Sequence, residues 1–157
     1  MAAIAVQNQP IDAGAMNESQ YIVRRFELGD LSKHGGWIVD RLLKAYPHRS
    51  QRDLMGWLRG ILHSNDYLFL YQEHGCALAT TARVHPLLPK PHVQEIFVFA
   101  EPGHENSAAA FYENFARWAK HHDIDTVVVQ EMSDVPHELV KEKLGRVFTK
   151  QITFARL

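Results

Sequence analysis

Residues 93–130, VQEIFVFAEPGHENSAAAFYENFARWAKHHDIDTVVVQ, decide the fold. Val93 to Phe99 is apolar, β-branched and aromatic, the composition of a buried strand. Ala100 to Asn106 follows with Pro102, Gly103 and Asn106, the residues of a loop. Ala108, Phe111, Phe115 and Trp118 then recur at the spacing of one helical face, which predicts a helix over 108–122. Asp125 stands before Thr126-Val127-Val128-Val129, a second buried strand. A strand, a crossover helix and a strand of this length make a parallel pair, with the connecting loop at the first strand's carboxyl end. At that edge a helix start presents unpaired N–H groups to an anion.

Upstream, Tyr21 to Leu28 alternates in the manner of a strand, and Asp30 is placed to cap the helix that follows. That helix runs to about Tyr46 with Ile38, Leu42 and Leu43 inward, weakened near Gly35-Gly36, and Pro47 stops it. Ser50 caps a second helix with Leu54, Trp57, Leu58, Ile61 and Leu62 as its buried stripe. Tyr67–Gln72 and Cys76–Val84, joined at Glu73-His74-Gly75, predict an antiparallel hairpin. A proline-rich loop from His85 to His92 leads into the strand at Val93. Downstream, Val135 to Leu144 reads as a helix with Pro136 in its first turn and Gly145 at its end. One or two strands close the chain. The order is β-α-α-β-β-β-α-β-α-β(β), a mixed α/β fold around one sheet.

The 157 residues suit one domain over 20–157, with residues 1–19 as a flexible tail. A net charge of −1 gives no general pull toward nucleic acid or anionic membrane. No stretch reaches the ~20 apolar residues of a membrane span. Residues 1–19 lack a secretory signal pattern, and a single cysteine, Cys76, excludes an internal disulfide. A cytoplasmic compartment is expected, or a virion or host cytoplasm for a viral chain. Cys76 lies inside a strand, as a small core residue or a nucleophile.

This order and spacing resemble the GNAT superfamily of acyl-CoA-dependent N-acyltransferases over 21–157. The likeness rests on Tyr21-Ile-Val-Arg-Arg-Phe-Glu-Leu-Gly-Asp30, on Glu95-Ile-Phe-Val-Phe-Ala-Glu-Pro102 with the helix ending Ala-Arg-Trp-Ala-Lys120, and on Val-Lys-Glu-Lys-Leu-Gly145. The resemblance implies acetyl-CoA in the opening beyond Phe97-Val98-Phe99, and an amine-bearing small molecule or protein as acceptor. In the family a loop of the pattern Arg/Gln-x-x-Gly-x-Gly/Ala cradles the CoA pyrophosphate. The matching positions are Gly103, His104, Glu105, Asn106, Ser107 and Ala108. Gly103 replaces the arginine or glutamine, Asn106 the first glycine, and Glu105 sets a negative charge beside the expected diphosphate. Asn106 tolerates a left-handed backbone, so the loop can still form.

The resemblance also points to a carboxylate on the fourth strand as base, where this chain has Glu95. Burial would raise its pKa toward neutrality; simple alternation would instead leave it on a half-exposed face. His85 and His92 are second-choice bases. The family's acid is often a tyrosine four residues before the last helix's glycine; here that position is Lys141, more in keeping with a surface charge. The ten histidines are scattered, with no i,i+4 pair beside a third ligand, so no metal is expected. Two readings stay open: an N-acetyltransferase, or a GNAT fold without chemistry serving as an interaction or assembly protein, for instance a viral or regulatory accessory protein. A protein partner or homo-oligomer fits either.

Overall fold

Among the described residues six strands pair in the order in which they occur along the chain. The computed structural model describes residues 22–83, 90–130 and 133–147, and residues 153–155 as backbone. The tail at 1–19, Tyr21 and His85 lie outside the described residues. In chain order the elements are β1 (Arg24–Arg25), α1 (Leu28–Ala45), α2 (Gln51–Ile61), β2 (Tyr67–Gln72), β3 (Gly75–Ala82), β4 (His92–Ala100), α3 (Glu105–Ala108), α4 (Ala110–His121), β5 (Val127–Gln130), α5 (His137–Gly145) and β6 (Thr153–Ala155). β1 to β4 are antiparallel; β5 runs parallel to β4, and β6 parallel to β5. Among the described residues no helix is long and apolar enough to cross a membrane.

The sheet has a core on each face. One holds Ile38, Leu58, Phe69, Leu78 and Phe97 under α1 and α2. The other holds Leu70, Val93, Val98, Phe111, Phe115 and Val127 under α4 and α5. Val127, Val128 and Val129 are all fully buried, which explains a strand without polar alternation: both of its faces are covered. Leu31, Gly35, Ile38, Val39 and Leu42 form the buried stripe of α1. Gly35 earns its place there, since a Cβ would come 2.9 Å from Met55 of α2. Ser50 caps α2 as expected, accepting from the Asp53 amide at 3.0 Å. Cys76 is a core residue, and burial pushes its thiol pKa up.

Three local readings are corrected. The first strand shrinks to Arg24–Arg25, and α1 begins at Leu28 with Glu27, rather than Asp30, as its N-cap. Asp30 sits one turn in and accepts from the Glu27 amide at 2.8 Å, while Arg24 clamps its carboxylate at 2.6 and 2.8 Å. That guanidinium holds the Asp30 carboxyl below its usual range. The helix expected over 108–122 begins earlier, as the short α3, and breaks at Ala109 before α4.

Gly75, first residue of β3, is pressed against the neighbouring strand: a Cβ there would lie 2.7 Å from the Phe99 carbonyl oxygen. A Gly75→Ala variant is therefore expected to lose about 1–3 kcal/mol, read as a lower denaturation midpoint at unchanged slope.

Candidate active site

The site begins with an irregularity in β4. Leu78 of β3 pairs with Phe97, but Ala79 pairs with Glu95, so Ile96 is an extra residue on β4. A bulge of this kind shifts the alternation by one and increases local twist. Before it, Val93 belongs to the α4 core; after it, Phe97 and Phe99 pack on the α1–α2 side, and Val98 and Ala100 on the α4 side. The parallel ladder between β4 and β5 is formed by Val93↔Val127 and Gln94↔Val128. Past that point the strands diverge.

Glu95 fills the start of the divergence. Its carboxylate accepts from the Gln130 amide at 2.5 Å, a group that would otherwise have paired with β4. The other oxygen accepts from the Tyr112 hydroxyl of α4, which also bonds the Ser133 hydroxyl. Glu95 is fully buried rather than half exposed: it follows Val93 by two residues onto the α4 side, which is covered, and the bulge falls after it. Burial raises its pKa to about 7, against the opposing pull of the Tyr112 and Gln130 hydrogen bonds. The same burial, with the adjacent carboxylate, pushes the Tyr112 phenol well above its ordinary value. Because Ser133 is only partly buried, Glu95–Tyr112–Ser133 forms a chain of proton-carrying groups from the interior to a loop.

Tyr112 was recognisable in the sequence only as a phenol. The usable signal was its position four residues after Ala108 on the helix stripe, where a buried hydroxyl must find a partner. A Tyr112→Phe variant removes the bond that lowers the Glu95 pKa, so that pKa is expected to rise above its present value. It should also cost about 1–3 kcal/mol at pH 8, where Glu95 is ionised, and less in acid. Carboxyl carbon shifts followed through a pH titration check the first effect, and urea unfolding at two pH values the second.

Further along, the free edge of β4 meets the loop after β5. The Ala100 amide donates to the Asp134 carboxylate at 3.0 Å, and the Asp134 amide faces the Val98 carbonyl at 3.5 Å. Arg41 of α1 holds the same carboxylate with two bonds, 2.7 and 2.8 Å, and lies over the Phe99 ring. Neither Arg41 nor Asp134 stood out in the sequence; they are 93 residues apart and share no motif.

The loop at the carboxyl end of β4 turns at Gly103, whose φ of +89° suits glycine. The left-handed residue is therefore Gly103, while Asn106 is helical, a correction to the expected loop. His104 precedes α3, and its carbonyl accepts from the Ser107 hydroxyl. Gln72 of β2 donates to the Ser107 carbonyl and fixes α3 over the hairpin. The Glu105, Asn106 and Ser107 amides occupy the first turn, where helix geometry supplies no acceptor. No lysine or arginine stands between Glu101 and Ala109.

The remaining candidates lie elsewhere. His92 is fully buried at the first residue of β4, the opposite end from this loop. Lys141 is exposed on α5. On the α1–α2 side Ile96, the bulged residue, forms the floor of a cavity of about 310 Å³ with Tyr46, Arg49, Asp53 and Trp57 on its walls. A second cavity, about 360 Å³, lies between the amino end of β4 and the end of α4, away from Glu95.

Parallel strands diverging at a bulge, with a helix start at their open end, make this a GNAT-like fold. A solved structure with the same architecture is the apo aminoglycoside antibiotic 6'-N-acetyltransferase AAC(6')-IG from Acinetobacter haemolyticus, at a TM-score of 0.55. The match covers 86% of this chain and 94% of that one, at 14% identity, a likeness of fold. No family model and no curated protein matches the chain.

Proposed function

We propose that the chain is an acyl-CoA-dependent N-acyltransferase that moves an acetyl group to an amine. The observation that carries this reading is Glu95: a carboxyl with a pKa of about 7, set where β4 and β5 part and connected through Tyr112 to Ser133. A base serves best when its pKa lies near the working pH. The neutral amine attacks the thioester carbonyl, any ammonium proton having gone to solvent; as the C–N bond forms, the nitrogen gives one proton through Ser133 and Tyr112 to Glu95. The C–S bond breaks, and that proton returns by the same chain to the departing thiolate, leaving the amide and a free thiol. Acetyl-CoA is the acyl donor in this reading; its extended, amide-bearing arm suits the β4 edge at Val98–Ala100 as an added strand would. The amides of Glu105 to Ser107, with Gly103, His104 and Ala108 shaping the loop, face its diphosphate. The acceptor enters from the α1–α2 side, where the cavity over Ile96 offers Trp57 and Tyr46 as apolar contact and Asp53 and Arg49 as its charged groups.

A second reading has an observation of its own. Asp134, held by Arg41, already occupies the Ala100 amide and Val98 carbonyl of the β4 edge, as it would in a GNAT fold kept for interaction with a protein partner rather than for chemistry. Titration calorimetry with acetyl-CoA separates the two. The acyltransferase reading expects saturable heat with the wild-type chain, and acetyl transfer to a polyamine panel that falls at least about tenfold in Glu95→Gln. No heat at millimolar acetyl-CoA, from the wild type or from an Asp134→Ala variant, leaves the interaction reading.

A further inference from the structure

We propose that His74, Glu101 and His104 form a binding site for one divalent transition-metal ion of the zinc class. The three come from separate segments: the β2–β3 turn, the residue after β4, and the residue before α3. One ligand atom from each lies within 4.8 Å of the other two. His74 Nδ1 is 2.7 Å from a Glu101 carboxylate oxygen, and the two imidazoles stack at 3.7 Å between centroids.

The backbone holds this triad together independently of the side chains. The Glu101 amide donates to the His74 carbonyl at 2.9 Å, and the His104 amide donates to the Glu101 carbonyl at 2.9 Å. Gly103, at positive φ, makes the tight return from Glu101 to His104 possible. Around a tetrahedral zinc ion, ligand atoms stand roughly 3.4 Å apart. His74 Nδ1 and the Glu101 carboxylate already lie inside that separation and the other ligand atoms within 4.8 Å, so side-chain rotation is what the ion asks for, and all three side chains are partly exposed. Two imidazoles and one carboxylate are a donor set of catalytic zinc and non-haem iron sites, and they leave a coordination position open. Glu73, 3.9 Å from His74 Nε2, adds negative charge around the ion. A cation there would lie beside a loop whose own charged side chains, Glu101 and Glu105, are acidic. Motif spacing misses the site because Glu101 and His104 are brought to His74 by the hairpin.

The test uses the untagged full chain, titrated with Zn²⁺ by calorimetry and with Co²⁺ by visible absorption. One ion per chain is expected, with the intense visible bands of a four-coordinate Co²⁺ centre. His74→Ala and His104→Ala should each weaken binding by more than the roughly 10–100-fold typical of an outer-shell partner. Glu101→Gln should weaken it too, and a His121→Ala/His122→Ala control should bind as the wild type. Thermal melts without metal verify that each variant folds; should an alanine variant fail to fold, His74→Gln or His104→Gln replaces it. Absence of saturable binding by the wild type, or full affinity in the folded His74 and His104 variants, overturns the proposal.

Discussion

Between pH 4 and pH 8 the wild-type chain is expected to lose about 3 kcal/mol of unfolding free energy that a Glu95→Gln variant retains. The reason is the direction of one shift. In the unfolded chain Glu95 titrates at its ordinary 4.5, and in the fold at about 7. Across that window the folded protein holds a proton that the unfolded chain has released, so stability falls as pH rises. The contribution is fully present below 4.5 and fully lost above 7. Asp30 runs the other way, its carboxyl held low by Arg24, but it is common to both proteins and drops out of the difference. Glutamine fits the site: its carbonyl accepts from the Gln130 amide and its amide donates to the Tyr112 oxygen, which turns its own proton to Ser133. Urea unfolding of the two proteins at pH 4, 6 and 8 gives the difference directly. Parallel pH profiles would mean that Glu95 titrates as an ordinary carboxylate, and the proposed base would be lost with it.

Removing Asp134 is expected to have opposite effects on stability and on cofactor affinity. The carboxylate accepts two bonds from Arg41 and one from the Ala100 amide, and Arg41 and Asp134 are both less than a third exposed. Hydrogen bonds to charged groups contribute about 1.5–3 kcal/mol, so Asp134→Ala should destabilise the chain by about 2 kcal/mol after relaxation. The same change frees the Ala100 amide at the edge proposed for the pantetheine arm. One hydrogen bond no longer in competition is worth about tenfold in affinity, so acetyl-CoA should bind about tenfold more tightly to the variant. Calorimetry alongside urea unfolding measures both. A destabilised variant with unchanged acetyl-CoA affinity would show that the arm does not use this edge.

The fold was readable where local pattern and tertiary demand agree. Val93–Phe99 and Val127–Val129 are apolar because both faces of the sheet are covered, and the α4 stripe was visible in Phe111, Phe115 and Trp118. The start of α1 was misread because its capping pair, Glu27 and Asp30, lacks the serine or threonine that usually marks such a box, and Gly29 weakens the first turn. Glu95 could be named from the resemblance, but its burial depends on α4 covering that face of the sheet. The turn of Phe97 and Phe99 to the other face depends on the bulge at Ile96, which is set by the register of β3. That is a pairing between strands, and no periodicity within β4 records it. Arg41 with Asp134, and His74 with His104, are products of topology alone.

Each strand of this sheet lies beside the one written just before it in the chain. Closing any pair therefore spans no more than the intervening helices, and the entropy of drawing distant segments together stays small. On a ribosome, every strand after β1 would emerge to an edge already made, while β1 itself waits for β2 beyond the first two helices.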